Sequence, residues 1–334
     1  MKSARVSQAA REGLLVLTVV WAAQGCASQS PVEEVFVEIP IGTPYSDVPR
    51  ILAQRGVIGL PTLFGIYGRA RRLDRSVKAG TYRLARGAGF AEVYDALSRG
   101  TVVTYPVTFP EGMTLAAMAP RIAKAAGTDS ASVVNTLGDS ELHTRWDVPG
   151  PGLEGYLFPD TYRFAEGVGI ERIVAAMIAR YRAYWTPDRR DALARSGMTE
   201  QEVVTLASIV QAEAGHNSEM PTIAGVFHNR LRIGMRLQAD PTIHYALPHG
   251  HRPRLLYAAM DSVRDHPYNT YTHAGLPPGP VCAPGAVALD AAMRPIDTDY
   301  LYFVRGEDRM HVFSKTLDEH NAAVQRARHL DERG

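Results

Sequence analysis

The most regular hydrophobic pattern in the chain begins at Thr199 and runs without a break into a carboxylic acid, Glu213. At about 100° per residue, Leu206, Ile209, Val210 and Glu213 fall in one narrow sector, with Gln211 on the far side. Thr199 with Glu202 three residues later forms a capping box, and Gly215 supplies a left-handed position after the last turn. The pattern therefore predicts a helix ending at Glu213. A second periodic run, Ile223, Val226, Phe227 and Leu231, predicts another helix, with Asn217 or Ser218 as N-cap, Pro221 in its first turn and Gly234 closing it. Two helices joined by a short glycine turn put Glu213 at the corner of a cleft. Beyond Gly234 the periodicity stops. Residues 235–245, 266–273 and 274–280 read as stiff, polar-aromatic loops.

Nearer the N-terminus a unit recurs. Gly42, Gly87 and Gly112 each follow a strand-like segment and precede a helix with apolar residues at the third, sixth and tenth positions after the glycine. Tyr45, Val48 and Leu52 correspond to Phe90, Val93 and Leu97, and to Leu115, Met118 and Ile122. That spacing is a helical core face, and packing accounts for all nine residues. Residues 106–200 read as a helical connector, bent at Pro149–Gly152 and carrying Glu154. At the C-terminus, Tyr300–Arg305 and Met310–Ser314 flank a Gly306 turn and predict a hairpin that braces the cleft from behind, and Thr316 with Glu319 caps a last helix. The architecture expected is α+β.

A carboxyl held against apolar neighbours has its charged form disfavoured, so Glu213 is expected to keep its proton near neutral pH and to donate it to a leaving oxygen. Amide, hydroxyl and aromatic groups on rigid loops suit a sugar. There is no glycine-rich phosphate loop, no basic stripe, and a net charge of only +1 over 334 residues, so nothing draws the chain toward nucleic acid. The histidines at 216, 228, 244, 249, 251, 266 and 273 show no compact ligand spacing, so no metal or other cofactor is expected. A nucleophile elbow is also missing from the sequence.

The first residues address the chain to a membrane. Arg5 and Arg11 precede the apolar run Gly13–Ala23, which is shorter than the roughly twenty residues that span a bilayer as a helix. It leads to Cys26 in a setting resembling a bacterial lipoprotein cleavage site, although Ala23 stands where Leu is commoner. An uncleaved anchor or a lipidated Cys26 would each export the rest of the chain and tether it. If Cys26 is lipidated, Cys282 is the remaining cysteine and no internal disulfide can form.

Several stretches together resemble the MltG/YceG family of endolytic murein transglycosylases. They are Gly152-Leu-Glu-Gly-Tyr-Leu-Phe-Pro-Asp-Thr-Tyr162, Ser208-Ile-Val-Gln-Ala-Glu213, the run from Val226 to Thr242, Pro267-Tyr-Asn-Thr-Tyr271, Gly275-Leu-Pro-Pro-Gly-Pro280 and Tyr300-Leu-Tyr-Phe-Val304. Resemblance implies an anchor at 1–30, a LysM-like module at 35–105 acting as glycan binder or spacer, a connector at 106–200 and a catalytic domain at 201–330. It implies that Glu213 is the catalytic acid. Many members carry a second Glu where this chain has Gln211, which leaves the chemistry with Glu213. Family members cleave peptidoglycan glycan strands between N-acetylmuramic acid and N-acetylglucosamine and leave 1,6-anhydro ends. They act at the inner membrane, facing the periplasm or cell exterior, and associate with wall-synthesis enzymes such as penicillin-binding proteins and the elongation machinery.

Gln238, Asn269 and Tyr271 are the expected dipoles around a cationic transition state, with Asp240 and Glu154 as further substrate-side carboxylates. If Glu154 or Asp240 stood across the cleft with room for a water, the enzyme would be an inverting hydrolase instead. A non-catalytic glycan-binding scaffold is the other class compatible with these residues. If no metal takes part, dialysis against a chelator leaves activity unchanged; loss of activity restored by a divalent ion would contradict the metal-free reading.

Overall fold

In the computed structural model, residues 33–40, 42–139, 144–165, 167–248, 257–306 and 310–331 are described. The expected anchor at 1–30 with Cys26 lies outside them, as do His249, His251 and the 307–309 tip of the C-terminal hairpin. Among the described residues no helix is long and apolar enough to cross a membrane.

The chain divides after Val103 into two units. In the first, β1 (Glu34–Ile39) and β2 (Gly80–Ala85) pair antiparallel, with α1 (Val48–Gln54) and α2 (Pro61–Ala70) between them in sequence and α3 (Phe90–Arg99) after. Val37, Leu52, Phe64, Tyr82, Val93 and Leu97 are among the residues closing a core of its own. The recurring unit is real. Gly42, Gly87 and Gly112 all adopt left-handed backbone, at φ 82°, 67° and 78°, where a side chain would be strained. In each copy the first apolar residue is half-buried and the next two are buried. The third copy lies in the second unit, where β3 (Thr104–Thr108) leads into α4 (Leu115–Ala126).

The second unit continues with α5 (Ser130–Leu137), β4 (Thr161–Ala165), α6 (Ile170–Tyr184), α7 (Pro187–Ser196) and α8 (Glu200–Glu213). Then come α9 (Met220–Arg232), α10 (Asp240–Ala246), α11 (Tyr257–Ser262), α12 (Ala286–Met293), β5 (Tyr302–Arg305), β6 (His311–Ser314) and α13 (Leu317–Asp331). β3 pairs antiparallel with β4, so the stretch read as a helical connector also carries half of a strand ladder. One apolar core takes residues from Phe109 to Met293 and includes both sides of position 200.

Helix α8 is the centre of that core. Its capping box forms as the sequence predicts: Thr199 N donates to Glu202 Oε2 at 2.7 Å and Glu202 N to Thr199 Oγ1 at 3.2 Å. All eight residues from Val203 to Val210 are buried, so the helix is packed on every side rather than along one stripe. Its polar members are satisfied: Ser208 Oγ donates to Thr205 O at 2.7 Å and accepts from Val281 N at 3.0 Å. Gln201 Nε2 donates to Pro278 O and Gln211 Oε1 accepts from Gly285 N. Three side chains of one helix thus hold the proline-glycine segment 278–285 against it.

Three local expectations are corrected. Gly215 is not left-handed; the helix ends at Ala214 in extended backbone, φ −65° and ψ 128°, and leads into a 3-10 turn at Asn217–Glu219. Neither Asn217 nor Ser218 caps α9, because that turn already starts the helix and Glu219 occupies the N-cap position with no side-chain capping bond. Its carboxylate instead turns inward to His311, accepting from the backbone N at 2.5 Å and meeting Nδ1 at 3.2 Å. The stretch 235–245 is not all loop: Asp240 opens α10, because a proline in the first turn needs no N–H there.

Helix α9 reaches outward with three successive residues. His228 Nε2 meets Ala292 O, Asn229 Nδ2 donates to Thr298 O and Tyr300 O, and Arg230 donates to Leu301 O and Leu237 O. The predicted hairpin forms, from Tyr302 opposite Ser314 to Arg305 opposite His311, and Thr316 and Glu319 cap α13 reciprocally. A Cβ on Gly225 in α9 would come within 2.6 Å of Ile296 O, a backbone atom that cannot swing away. Helix propensity alone favours alanine there by about 1 kcal/mol. The clash outweighs it, so Gly225→Ala should lower unfolding free energy by about 1–3 kcal/mol in urea titrations.

Candidate active site

A cleft of about 1300 Å³ opens in the second unit, and Glu213 lies in it. The last turn of the buried helix α8 delivers the acid there, half-buried, with protein around it except at the cleft. Burial, and then the negative charge of Asp240, push the Glu213 carboxyl up to about 8. The Arg230 guanidinium and the backbone N–H of Asp240, which hydrogen-bonds the carboxyl, oppose that rise. At neutral pH Glu213 is therefore a protonated acid whose conjugate base already has a cation and a donor waiting.

Each of those neighbours is fixed by the fold. Arg230 Nε donates to Leu301 O at 2.7 Å and Nη1 to Leu237 O at 2.6 Å, with the guanidinium 5.5 Å from the centroid of Tyr302. Asp240 Oδ1 accepts from the Tyr271 hydroxyl at 2.5 Å, and burial beside that carboxylate raises the phenol far above its ordinary range. Beneath them is a threonine knot. Thr270 and Thr242 are both buried; their hydroxyls meet at 2.9 Å, and Ala239 N donates to Thr270 Oγ1 at 3.0 Å.

Gln238, Asp240, Tyr271 and Glu154 all line the cleft with Glu213. Gln238 is exposed there and has left-handed backbone, φ 49°, its N–H held by Thr270 O. Non-glycine residues in that conformation cost of order 1 kcal/mol and cluster at functional sites. Asn269 is the exception. It is buried away from the cleft lining, its Nδ2 donates to Val263 O at 3.0 Å and its Oδ1 accepts from Tyr271 N at 2.9 Å. Its amide is spent on the backbone, and the structure corrects the expectation that it touches substrate: it positions Tyr271.

Glu154 has two jobs available. Both carboxylate oxygens accept from Leu115 N at 3.2 Å, capping α4, and Tyr245 also hydrogen-bonds it. Burial nonetheless pushes it up to about 7. Asp240 stands beside Glu213 rather than across from it, since its own N–H bonds the Glu213 carboxyl. The C-terminal hairpin does not brace the cleft from behind; Tyr302–Arg305 and His311 form part of its wall. Arg230 was missed in the sequence. The signal was present, because Arg230 falls on the periodic apolar side of α9 between Phe227 and Leu231, where a charge needs a reason.

The YceG-like family model matches residues 37–326. This chain belongs to the YceG-like family. Among its relatives, the endolytic murein transglycosylase of Bacillus subtilis (strain 168) is 32% identical over 308 residues, 87% of this chain and 84% of that protein. The protein of the same name from Streptococcus pneumoniae serotype 2 is 30% identical, over 81% of this chain and 54% of its own length. The crystal structure of a YceG-like protein from Listeria monocytogenes is similar, with a TM-score of 0.60 at 34% identity, covering 87% of this chain and 99% of that one. The fold of this YceG-like chain, mixed helices and short antiparallel strands, accords with that neighbour.

The raised Glu213 carboxyl has a cost in stability with a definite sign. The folded state keeps the proton up to about pH 8, while the unfolded chain releases it near the ordinary value of 4.5. Stability is therefore fully present below the unfolded value and is lost as pH rises through about 8. Glu213→Gln has no such proton, so its melting temperature should gain on that of the unaltered chain between pH 5 and 8. The gain should correspond to no more than a few kcal/mol; a pH-independent difference would contradict the assignment.

Proposed function

We propose that this chain is a lytic murein transglycosylase that cuts peptidoglycan glycan strands internally, between N-acetylmuramic acid and N-acetylglucosamine, and leaves 1,6-anhydro-N-acetylmuramic ends. The observation that carries the proposal is one protonated carboxylic acid, Glu213, fixed at the end of a buried helix and open to a long cleft. The names of the relatives, which are 30–32% identical over most of the chain, support an enzyme acting on murein.

Glu213 gives its proton to the glycosidic oxygen as the bond to the anomeric carbon breaks. The sugar's own C6 hydroxyl then closes on that carbon, and the Glu213 carboxylate takes the hydroxyl proton, so the acid is regenerated and no water is consumed. Each half of the cycle has its stabiliser. Burial and Asp240 favour the protonated form that begins the reaction, while Arg230 and the Asp240 N–H favour the carboxylate that finishes it. The negative Asp240, tied to Tyr271, also sits where a cationic anomeric centre forms. Gln238, Tyr271 and Glu154 supply the polar side chains that meet the sugar.

A water-using reading keeps one observation in its favour, a second titratable carboxyl, Glu154, in the same cleft. A scaffold that binds glycan without cutting it is the remaining class. The small self-contained core of the first unit supports reading 35–105 as the LysM-like module. The basic and apolar N-terminal residues support anchorage at the cytoplasmic membrane, with the cleft outside and penicillin-binding proteins of the growing wall as neighbours.

Digestion of purified peptidoglycan followed by mass spectrometry separates the classes. Anhydro ends are expected; reducing ends with added water would mean a hydrolase, and unchanged strands a scaffold. Glu213→Gln should lower turnover by about 10²–10⁴-fold with folding intact. Because the acid must be protonated, kcat/KM should fall as pH rises through about 8, and a rate that climbs across that range would overturn the acid's role.

A further inference from the structure

The first unit carries a helix that is apolar on two sides and packed on only one. Phe64 and Gly68 bury the inner side of α2. At about 100° per residue, Leu63, Ile66 and Ala70 share the opposite stripe. Leu63 and Ile66 are 53% and 61% exposed, and Leu60, at the N-cap, is 59% exposed. Single exposed aliphatics are ordinary on a protein surface, but three large ones within seven residues of one helix form a patch. At the other end of α2 the chain runs through Arg69, Arg71, Arg72 and Arg75, against the single acid Asp74. Leu73 turns into the core and leaves Arg72, Asp74 and Arg75 outside. Among the described residues none of the four arginines has a carboxylate partner within 4.0 Å.

We propose that this side of α2 docks on an anionic bilayer surface, with Leu60, Leu63 and Ile66 among the upper acyl carbons and Arg69, Arg71, Arg72 and Arg75 at the headgroup phosphates. Charge decides between the possible occupants. A second copy meeting this face about a two-fold axis would bring two arginine clusters together, whereas lipid phosphates neutralise them. Aliphatic side chains flanked by arginine are also the composition of helices that lie in a membrane interface. The sequence keeps the bilayer within reach: ten residues separate the apolar run ending at Ala23 from Glu34, a tether of at most roughly 35 Å. Docking would hold the first unit flat on the membrane. It depends on no step of the glycan chemistry.

The full chain, carrying Cys26→Ala and Leu63→Cys, is labelled at residue 63 with an environment-sensitive fluorophore and mixed with vesicles containing an acyl-chain quencher. Cys282 is buried and does not compete for label. Glu92→Cys, on exposed α3 surface, is labelled in parallel. In phosphatidylglycerol-containing vesicles residue 63 should be quenched and residue 92 should not. Neutral vesicles, or Arg71→Gln with Arg72→Gln, should weaken the quenching roughly tenfold in lipid concentration. Three outcomes overturn the proposal: residue 63 as unquenched as residue 92 on vesicle-bound chain, no association with anionic vesicles, or shielding of residue 63 without lipid. The last would mean that a second copy or the chain's own N-terminal residues cover the face.

Discussion

Everything in the second unit is arranged around a helix that has no outside. Because α8 is buried through eight consecutive residues, its position is set by contacts on every side, and the group at its end inherits that rigidity. A carboxyl on a loop could turn to water and ionise. At the end of α8 it is held against the protein, and the rise of its proton affinity follows from where the helix stops. The surrounding bonds are chosen accordingly: Ser208, Gln201 and Gln211 tie down 278–285, while Arg230 ties Leu237 and Leu301.

The neighbours of Glu213 pull its proton affinity in opposite directions. A carboxyl raised by burial alone would have nothing nearby to favour its ionised form. Asp240 presents both signs, a carboxylate that repels the ionised acid and an amide N–H that binds it. Holding both on the first residue of α10 requires the helix to begin there, which Pro241 favours and which the threonine knot of Thr242 and Thr270 secures. Asn269 serves the same end one step removed, by fixing the backbone of Tyr271.

Much of this was legible in the sequence, and the reasons are local. The capping boxes at Thr199 and Thr316, the three glycine turns with their buried pairs, and the hairpin after Tyr300 are each specified by residues close together in the sequence, and each formed as read. Glu213 at the end of an apolar periodicity was likewise visible. What could not be read depends on distant partners. Gly215 looks like a helix terminator, yet the chain leaves α8 in extended backbone at Ala214, and Glu219 just beyond is held by His311, which lies 92 positions away. Asn269 looks like a sugar ligand until the carbonyl of Val263 is seen to occupy it. Arg230 broke the apolar pattern, but only the fold shows that two carbonyls and Glu213 account for it.

The lip formed by α10 is tied differently from the acid beside it. Its half-buried Tyr245 packs on the main core that encloses α8, but its buried apolar residue Ile243 joins Leu247, Ala259 and Val263 in a separate satellite cluster. Local opening free energies follow such support, so this lip belongs to the least costly part of the unit to part, and α8 to the most costly. The two walls of the cleft beside Glu213 therefore differ in how readily they part, although the protein that forms them is continuous.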